Sequence, residues 1–135
     1  RRERTHVDNE GIAKIVASYE SEGTILFGAF SEEKLVGVIA ISRRLSQKFK
    51  HRAFIWGMYI SNEFRQLKVG ALLLAHVKAG LKAQEVNVLW LQVTESNTPA
   101  VSFYKKHGFE IYGTEPQALF TQGDYHNVNY MHTSA

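Results

Sequence analysis

The sequence predicts an α/β domain (an α+β mixed sheet) in which a central mixed β-sheet is flanked by helices on both faces. Two patterns support this fold class. The segment from Phe54 to Ala83 reads as an apolar strand, a short polar loop and a helix with apolar residues at helical spacing, and a second apolar strand follows at Val88–Val93. Upstream, the β-type runs Thr24–Phe30 and Lys34–Ile41 are joined by three polar residues. The first pattern predicts a right-handed crossover with parallel pairing and the second an antiparallel hairpin, so the sheet is mixed.

Length and composition predict a single domain over residues 1–135. With 44% hydrophobic residues, the chain has enough apolar material for one core. No run approaches the roughly 18 apolar residues of a membrane span, and the amino terminus lacks the apolar core of a secretory signal, so no membrane association is expected. The chain has no cysteine, which excludes disulfides and a cysteine nucleophile and suits a reducing cytoplasm. The six histidines lack metal-ligand spacing, so no metal is expected.

The net positive charge of the chain indicates which kinds of partner it could bind. A net charge of +3 would suit a polyanion, either a nucleic acid or a phosphorylated cofactor. Nucleic acid is not expected, because the sequence shows no helix-turn-helix signature and no strands of interleaved basic and aromatic residues. The basic stretch Arg43–Arg52 reads as a solvated loop, with contact to an acidic acceptor as the lesser alternative.

The amino-terminal segment shows helical periodicity. Apolar residues at Ile12, Ile15, Val16 and Tyr19 predict an amphipathic helix over Asp8–Glu20.

The strand that begins near Phe54 is apolar at nearly every position. It is therefore predicted to be central and buried on both faces, and Gly57 in its middle predicts a bulge or a close backbone approach. The helix that follows opens at Gly70. At such a helix start, free backbone N–H groups and the helix dipole favour a bound phosphate.

The carboxyl-terminal part predicts one short helix and two strands. Thr98-Pro99 starts the helix and Gly108 ends it. Strands are predicted at Phe109–Tyr112 and at Tyr125–His132. Between them lies a predicted loop that contains Gly113, Pro116 and Gly123.

Two motifs in this order match a known family. Arg65 opens a pattern that reads Q/R-x-x-G-x-G/A in the family, and Gly70 and Ala71 close it; Lys68 stands where glycine is usual. Downstream, a second pattern, N-x-x-A-x-x-x-Y-x-x-x-G-F, is matched in full by Asn97, Ala100, Tyr104, Gly108 and Phe109. Over about residues 26–131 the chain therefore resembles the GNAT N-acetyltransferase superfamily.

The resemblance implies acetyl-CoA as cosubstrate and assigns its binding residues. The backbone of Met58, Tyr59 and Ile60 would hydrogen-bond the pantetheine arm where two parallel strands splay apart. The amides that would hold the pyrophosphate are those of Arg65, Gln66, Leu67, Lys68, Val69, Gly70 and Ala71. Asn97 and Tyr104 complete the cofactor-binding set. Because the family's sheet begins with a strand before its first helix and none is evident before Asp8, an amino-terminal truncation is expected.

The resemblance also implies a mechanism, in which an amine attacks the thioester directly in a ternary complex. Tyr104 would donate the proton to the departing thiolate, since a phenol with a pKa of about 10 stays protonated at neutral pH. Gln92 stands where some relatives carry a glutamate base and cannot serve as one. Glu95, His51 or ordered water remain as the base, and ordered water is preferred.

The acceptor amine stays open, because loops rather than the cofactor motif shape its site. Asn127 stands where many amine-acetylating relatives have aspartate. A homodimer also stays open, since dimers are common in the family.

Other interpretations remain open. Gly70 alone could be a helix-start glycine, Asn97 a helix cap, and Tyr104 a core aromatic. Together these possibilities, with Lys68, Gln92 and Asn127, motivate an alternative function as a non-catalytic CoA-binding or interaction protein.

Overall fold

A computed structural model of the chain describes residues 3–6, 14–21 and 23–135. Its elements, in chain order, are β1 (Glu3–His6), β2 (Lys14–Ser21), β3 (Thr24–Ser31), β4 (Lys34–Ser42), β5 (Arg52–Ile60), a 3-10 helix (Asn62–Leu67), α1 (Val69–Ala83), β6 (Val88–Thr94), α2 (Thr98–Lys106), β7 (Glu110–Thr121) and β8 (Asp124–Ser134). The strands form one eight-stranded sheet in the order β1-β2-β3-β4-β5-β6-β8-β7. No helix in the described ranges is long and apolar enough to cross a membrane.

The sheet is mixed, as the sequence predicted. β5 and β6 pair in parallel across the α1 connection, while every other neighbouring pair is antiparallel. The predicted hairpin is present as β3 and β4, which turn at Glu32 and Glu33. Both turn residues have positive φ (51° and 67°), the geometry that matches the twist of a two-residue hairpin.

The helix predicted over Asp8–Glu20 is wrong where the structure describes it. From Lys14 onward the chain is strand β2, which pairs with β1 on one side and β3 on the other; residues 7–13 lie outside the described residues. Ile15 and Ala17 are buried and alternate with half-buried neighbours, a period of two. A helix would place Ile15 and Val16 near one face, whereas in β2 they lie on opposite faces, because pairing with β1 and β3 selects the extended form.

A strand does precede Asp8, contrary to the expectation from sequence. β1 covers Glu3–His6 and pairs with β2 through the register Glu3↔Ser18 to His6↔Ile15. The carboxyl-terminal loop was also predicted wrongly. Gly113 and Pro116 lie within the long strand β7, whose register shifts beside each of them, and Gly123, with φ of 82°, makes the turn into β8.

One face of the sheet packs against both described helices. The inward side chains of β3 to β6 and β8 join residues of α1 and α2 in one hydrophobic core, which includes Ile39, Ile55, Leu73, Leu91, Tyr104, Phe109 and Met131. The two helices also touch each other, since the Phe103 ring of α2 lies beside Gly70 of α1. The described helices therefore share this first face of the sheet, whereas the sequence predicted helices on both faces.

The second face is more exposed than the sequence predicted. Strand β5 was expected to be buried on both faces, yet Trp56 and Tyr59 are 58% and 61% exposed. Aromatic rings run across this face: Phe54 and Trp90 have centroids 4.4 Å apart, and Trp90 and Tyr130 are stacked at 6.2 Å. A continuous apolar run therefore reflects one packed face and one aromatic face rather than two buried ones.

The predicted irregularity at Gly57 is a β-bulge. Ile41 of β4 pairs with Ile55, and the next residue, Ala40, pairs with Gly57, so Trp56 is an extra residue in β5. Past the bulge, Met58 pairs with Ile39 on the helix-packed side of the sheet.

Candidate functional site

The parallel strands β5 and β6 separate at the end where α1 begins. Their register runs from Arg52↔Val88 to Ile55↔Leu91 and stops there. β5 nevertheless continues to Ile60 and β6 to Thr94, each held by its other neighbour. This opening between residues 56–60 and 92–94, called here the strand gap, is wide enough to prevent pairing and has backbone on both sides.

Three of the predicted residues line the β5 side of the strand gap. Met58, Tyr59 and Ile60 pair with β4 at Ile39, Val38 and Gly37. Met58 also lies near the start of α1, where its Cε is 3.7 Å from the position of a Cβ added at Gly70. The strand gap and the helix start are therefore adjacent.

The predicted polar loop is a 3-10 helix that leads directly into α1. The backbone of Arg65, Gln66 and Leu67 belongs to this 3-10 helix, and Lys68 joins it to α1. The first backbone hydrogen bond of α1 runs from the Leu72 amide to the Lys68 carbonyl, at 3.1 Å. The amides of Val69, Gly70 and Ala71 precede that bond, as do the first N–H groups of any α-helix. Partial positive charge therefore concentrates at this helix end.

Lys68 adopts the left-handed conformation, with φ of 61° and ψ of 25°. This conformation places a Cβ close to the following carbonyl and costs an L-residue about 1–2 kcal/mol, whereas glycine takes it freely. The geometry explains the family's preference for glycine here. The Lys68 side chain is exposed and makes no cap hydrogen bond to α1, so nothing local offsets the backbone strain.

Gly70 is confined by a neighbouring ring. A Cβ at this position would lie 3.2 Å and 3.3 Å from the Cζ and Cε1 atoms of Phe103. These contacts are tighter than ordinary van der Waals distance, so a side chain would displace the ring. Gly70 thus has a packing role where α2 meets the first turn of α1.

Asn97 caps α2. Its Oδ1 accepts a hydrogen bond from the Ala100 amide at 3.3 Å, and Pro99 occupies the first turn. The helix-cap interpretation of Asn97 therefore describes its side chain. The cap fixes where α2 starts and, through it, where Tyr104 lies.

Tyr104 is both a core aromatic and a candidate acid. It is 8% exposed and packs edge-on against Phe103 and Phe109, with ring centroids 5.2 Å and 5.3 Å away. Burial raises the pKa of its phenol to about 12, because the phenolate would lose hydration. Tyr104 therefore keeps its proton across the physiological range.

The candidate bases occupy different ends of the sheet. His51 precedes β5 at the end opposite the strand gap, where its carbonyl accepts from the amides of Asn87 and Val88 at 3.0 Å and 3.1 Å. Gln92 is exposed on β6 at the strand gap, and Glu95 follows the same strand. The structure thus brings Gln92 and Glu95, but not His51, to the gap end.

The neighbouring Glu95 explains why residue 127 is an asparagine rather than an aspartate. Its Nδ2 donates to Glu95 Oε1 at 3.1 Å, while its Oδ1 accepts from the Gln117 amide at 2.9 Å. An aspartate could not donate, and it would place a second carboxylate against Glu95. The departure from the family pattern at Asn127 is therefore matched by a local partner.

A carboxylate that sequence reasoning missed lies next to this network. Glu115 accepts a hydrogen bond from the Tyr130 hydroxyl at 2.9 Å. It lines a cleft of about 280 Å³ together with Gln92, Val93, Thr94, Ala118, Leu119 and Val128. The bulge in β7 after Glu115 brings it there, and no short motif signals that arrangement.

Comparisons with known proteins agree with this architecture. The sequence profile of the acetyltransferase (GNAT) family matches residues 2–109. No curated protein matches the chain.

Solved structures with this fold are numerous. A GNAT-family acetyltransferase from Streptococcus pneumoniae is 25% identical, with a TM-score of 0.76 over 85% of this chain and 68% of that one. The smu.2055 protein from Streptococcus mutans UA159 is 23% identical, with a TM-score of 0.78 over 84% and 72%. A ribosomal-protein-alanine N-acetyltransferase from Brucella melitensis is 23% identical, with a TM-score of 0.75 over 84% and 70%. With its profile match spanning most of the sequence, the chain belongs to the acetyltransferase (GNAT) family.

Proposed function

We propose that the protein transfers the acetyl group of acetyl-CoA to a primary amine, by direct attack of the amine in a ternary complex. The observation that carries this proposal is the strand gap, which opens between parallel strands beside the amino terminus of α1. Acetyl-CoA supplies an activated thioester carbonyl when bound. A chain without cysteine suits the reducing cytoplasm as its location.

The residues around the strand gap fit an extended, phosphorylated ligand. The backbone of Met58, Tyr59 and Ile60 offers peptide groups to a pantetheine arm that lies in the gap like an added strand. The amides of Val69, Gly70 and Ala71 would hold the pyrophosphate at the end where the dipole of α1 favours negative charge, whereas those of residues 65–67 donate within the 3-10 helix. Lys68 adds an exposed cation at the same turn.

In this proposal Tyr104 is the general acid. When the amine nitrogen forms its bond to the acetyl carbon, the carbon–sulfur bond would break and the sulfur would take a proton from the Tyr104 hydroxyl. The nitrogen would lose a further proton as the amide forms, and that proton, passed on through water, would restore the Tyr104 phenol. A backbone N–H near Ile60 would stabilise the oxyanion. The acceptor amine, with a pKa of about 10, arrives protonated, and ordered water near Gln92 removes its extra proton.

A thiol-release assay tests the proposal directly. Because the chain has no cysteine, a thiol reagent reports free CoA without reacting with the protein. Calorimetric titration with acetyl-CoA tests binding, and thiol release with polyamines, amino acids, aminoglycosides and peptide amino termini tests turnover. Absence of binding heat together with absence of turnover would contradict the proposal.

A second candidate function is binding of CoA without turnover. It is favoured by the exposed Gln92, which cannot act as a base, and by the raised pKa of Tyr104, which makes the phenol a weaker acid. Binding heat with no thiol release for any acceptor would support this function. In that case Tyr104→Phe would leave the measured binding unchanged.

A further inference from the structure

A second pocket lies on the aromatic face of the sheet, at the end of β5 opposite the strand gap. It is a cavity of about 470 Å³, named here the arginine pocket, and it is lined by Ser42, Arg43, Arg44, Phe49, Arg52, Phe54 and Trp90. Phe54 pairs with both Ser42 of β4 and Trp90 of β6, so the floor is continuous sheet. The basic stretch that follows β4 supplies the rim. The sequence alone predicted a solvated loop there, with contact to an acidic acceptor as the lesser alternative.

The positive charge of the arginine pocket is not neutralised among the described side chains. None of its three guanidinium groups is paired with a carboxylate in the part of the chain that the structure describes. Arg43 is instead held by neutral acceptors: its Nη1 donates to Gln84 Oε1 at 2.7 Å and its Nη2 to the Lys50 carbonyl at 2.8 Å. Its Nε is buried without a described partner. A cation held in place by neutral acceptors therefore forms part of the wall.

The other two guanidinium groups lie over aromatic rings. Arg44 is 4.9 Å from the centroid of Phe49, and Arg52 is 5.2 Å from the centroid of Trp90. The Phe54 ring lies 4.4 Å from that of Trp90. Guanidinium planes and rings of this kind hold flat groups by stacking, and guanidinium forks match phosphate oxygens.

We propose that the arginine pocket binds a mononucleotide, with its phosphate among the three guanidinium groups and its base against the Phe54 ring and the Arg52 guanidinium that covers Trp90. The volume is far larger than a phosphate ion requires and lies in the range of small-molecule sites. The site shares no residue with the strand gap, so a nucleotide bound here is a ligand additional to CoA.

Fluorescence of Trp90 tests the proposal at the site itself. The chain has two tryptophans, so Trp56→Phe leaves Trp90 as the sole tryptophan, and excitation selective for tryptophan reports on it alone. In this background AMP, GMP and UMP are titrated without CoA, because the adenine nucleotide of CoA would itself compete for the arginine pocket, and Trp90 reports binding only at that pocket. Inorganic phosphate serves as the ringless control. We expect saturable quenching by the nucleotides and none by phosphate.

Matched charge variants assign the binding to the pocket. Arg44→Gln and Arg52→Gln should each weaken nucleotide binding about tenfold, because each removes a charge-assisted contact. Lys82→Gln, which removes an exposed cation at the end of α1, should leave the affinity unchanged. Circular dichroism verifies that each variant is folded.

Three outcomes would overturn the proposal. These are no quenching by any nucleotide, an equal response to inorganic phosphate, and equal weakening in Lys82→Gln. If acetyl-CoA does not bind at all, the proposed acetyl transfer fails, whereas the Trp90 titration and its dependence on Arg44 and Arg52 keep their meaning.

Discussion

Replacing Lys68 by glycine separates backbone strain from charge at the turn before α1. The left-handed conformation of Lys68 costs an L-residue about 1–2 kcal/mol. Glycine removes that strain but loses about 0.5–1 kcal/mol through greater freedom of the unfolded chain. The exposed side chain makes no cap bond to α1, so its loss subtracts little. Lys68→Gly should therefore raise the free energy of unfolding by about 0.5–1 kcal/mol.

Urea denaturation measures this difference, and Lys68→Ala is its control. Alanine removes the same charge but keeps the Cβ, so it should not reproduce the gain. A rise of about 2–4 °C in Tm for the glycine variant is the corresponding thermal signature. If both variants change stability equally, or if glycine lowers it, backbone strain at Lys68 is refuted.

The same pair also reports on the ligand. Removing the ammonium should weaken CoA binding in both variants, more at low salt than at high salt, because exposed charges are screened. Calorimetry at two ionic strengths measures this effect. Weakening in Lys68→Gly alone would show instead that the left-handed geometry, and not the charge, matters to the ligand.

Three further predictions concern the remaining site residues. Tyr104→Phe should lower thiol release about 10²–10⁴-fold with little change in acetyl-CoA affinity. With a folded pKa of about 12 against about 10 unfolded, Tyr104 stabilises the fold below pH 10 and loses that contribution toward pH 12, so urea titrations should find a smaller alkaline loss of stability in the phenylalanine variant, where Tyr130, whose pKa is also raised, still contributes. Gly70→Ala should destabilise the wild type but not the Phe103→Leu background, as measured in a double-mutant cycle. Asn127→Asp should cost about 1 kcal/mol at neutral pH by facing Glu95, and urea titration should show recovery as the carboxyls protonate in acid.

The parts of the fold with local signals were predictable from sequence. The hairpin turn at Glu32 and Glu33, the parallel β5–α1–β6 unit and the Pro99 start of α2 each depend on residues close together in the chain. The motif spacing likewise predicted that Gly70 would lie at the start of α1. These features need no knowledge of distant contacts.

The failures arise where distant contacts decide. The apolar positions of residues 14–20 fit helical spacing in the sequence, and only pairing with β1 and β3 makes this segment a strand. The exposure of Trp56 follows from which face the helices cover, which an apolar run does not reveal. The same holds for Glu115, which reaches its cleft through an irregular segment of β7.

The extra residue in β5 accounts for where the sheet opens. Ile55 is the last residue that β5 pairs with β6, and Trp56, directly after it, is the inserted residue that bends the strand away. Deleting Trp56 would leave Met58 and Ile60 facing α1, since it restores simple alternation. It would also straighten β5, so that the parallel hydrogen bonding between β5 and β6 could continue beyond Leu91. The loss of this one residue would therefore close the strand gap, while the core-facing side chains of β5 would keep their orientation.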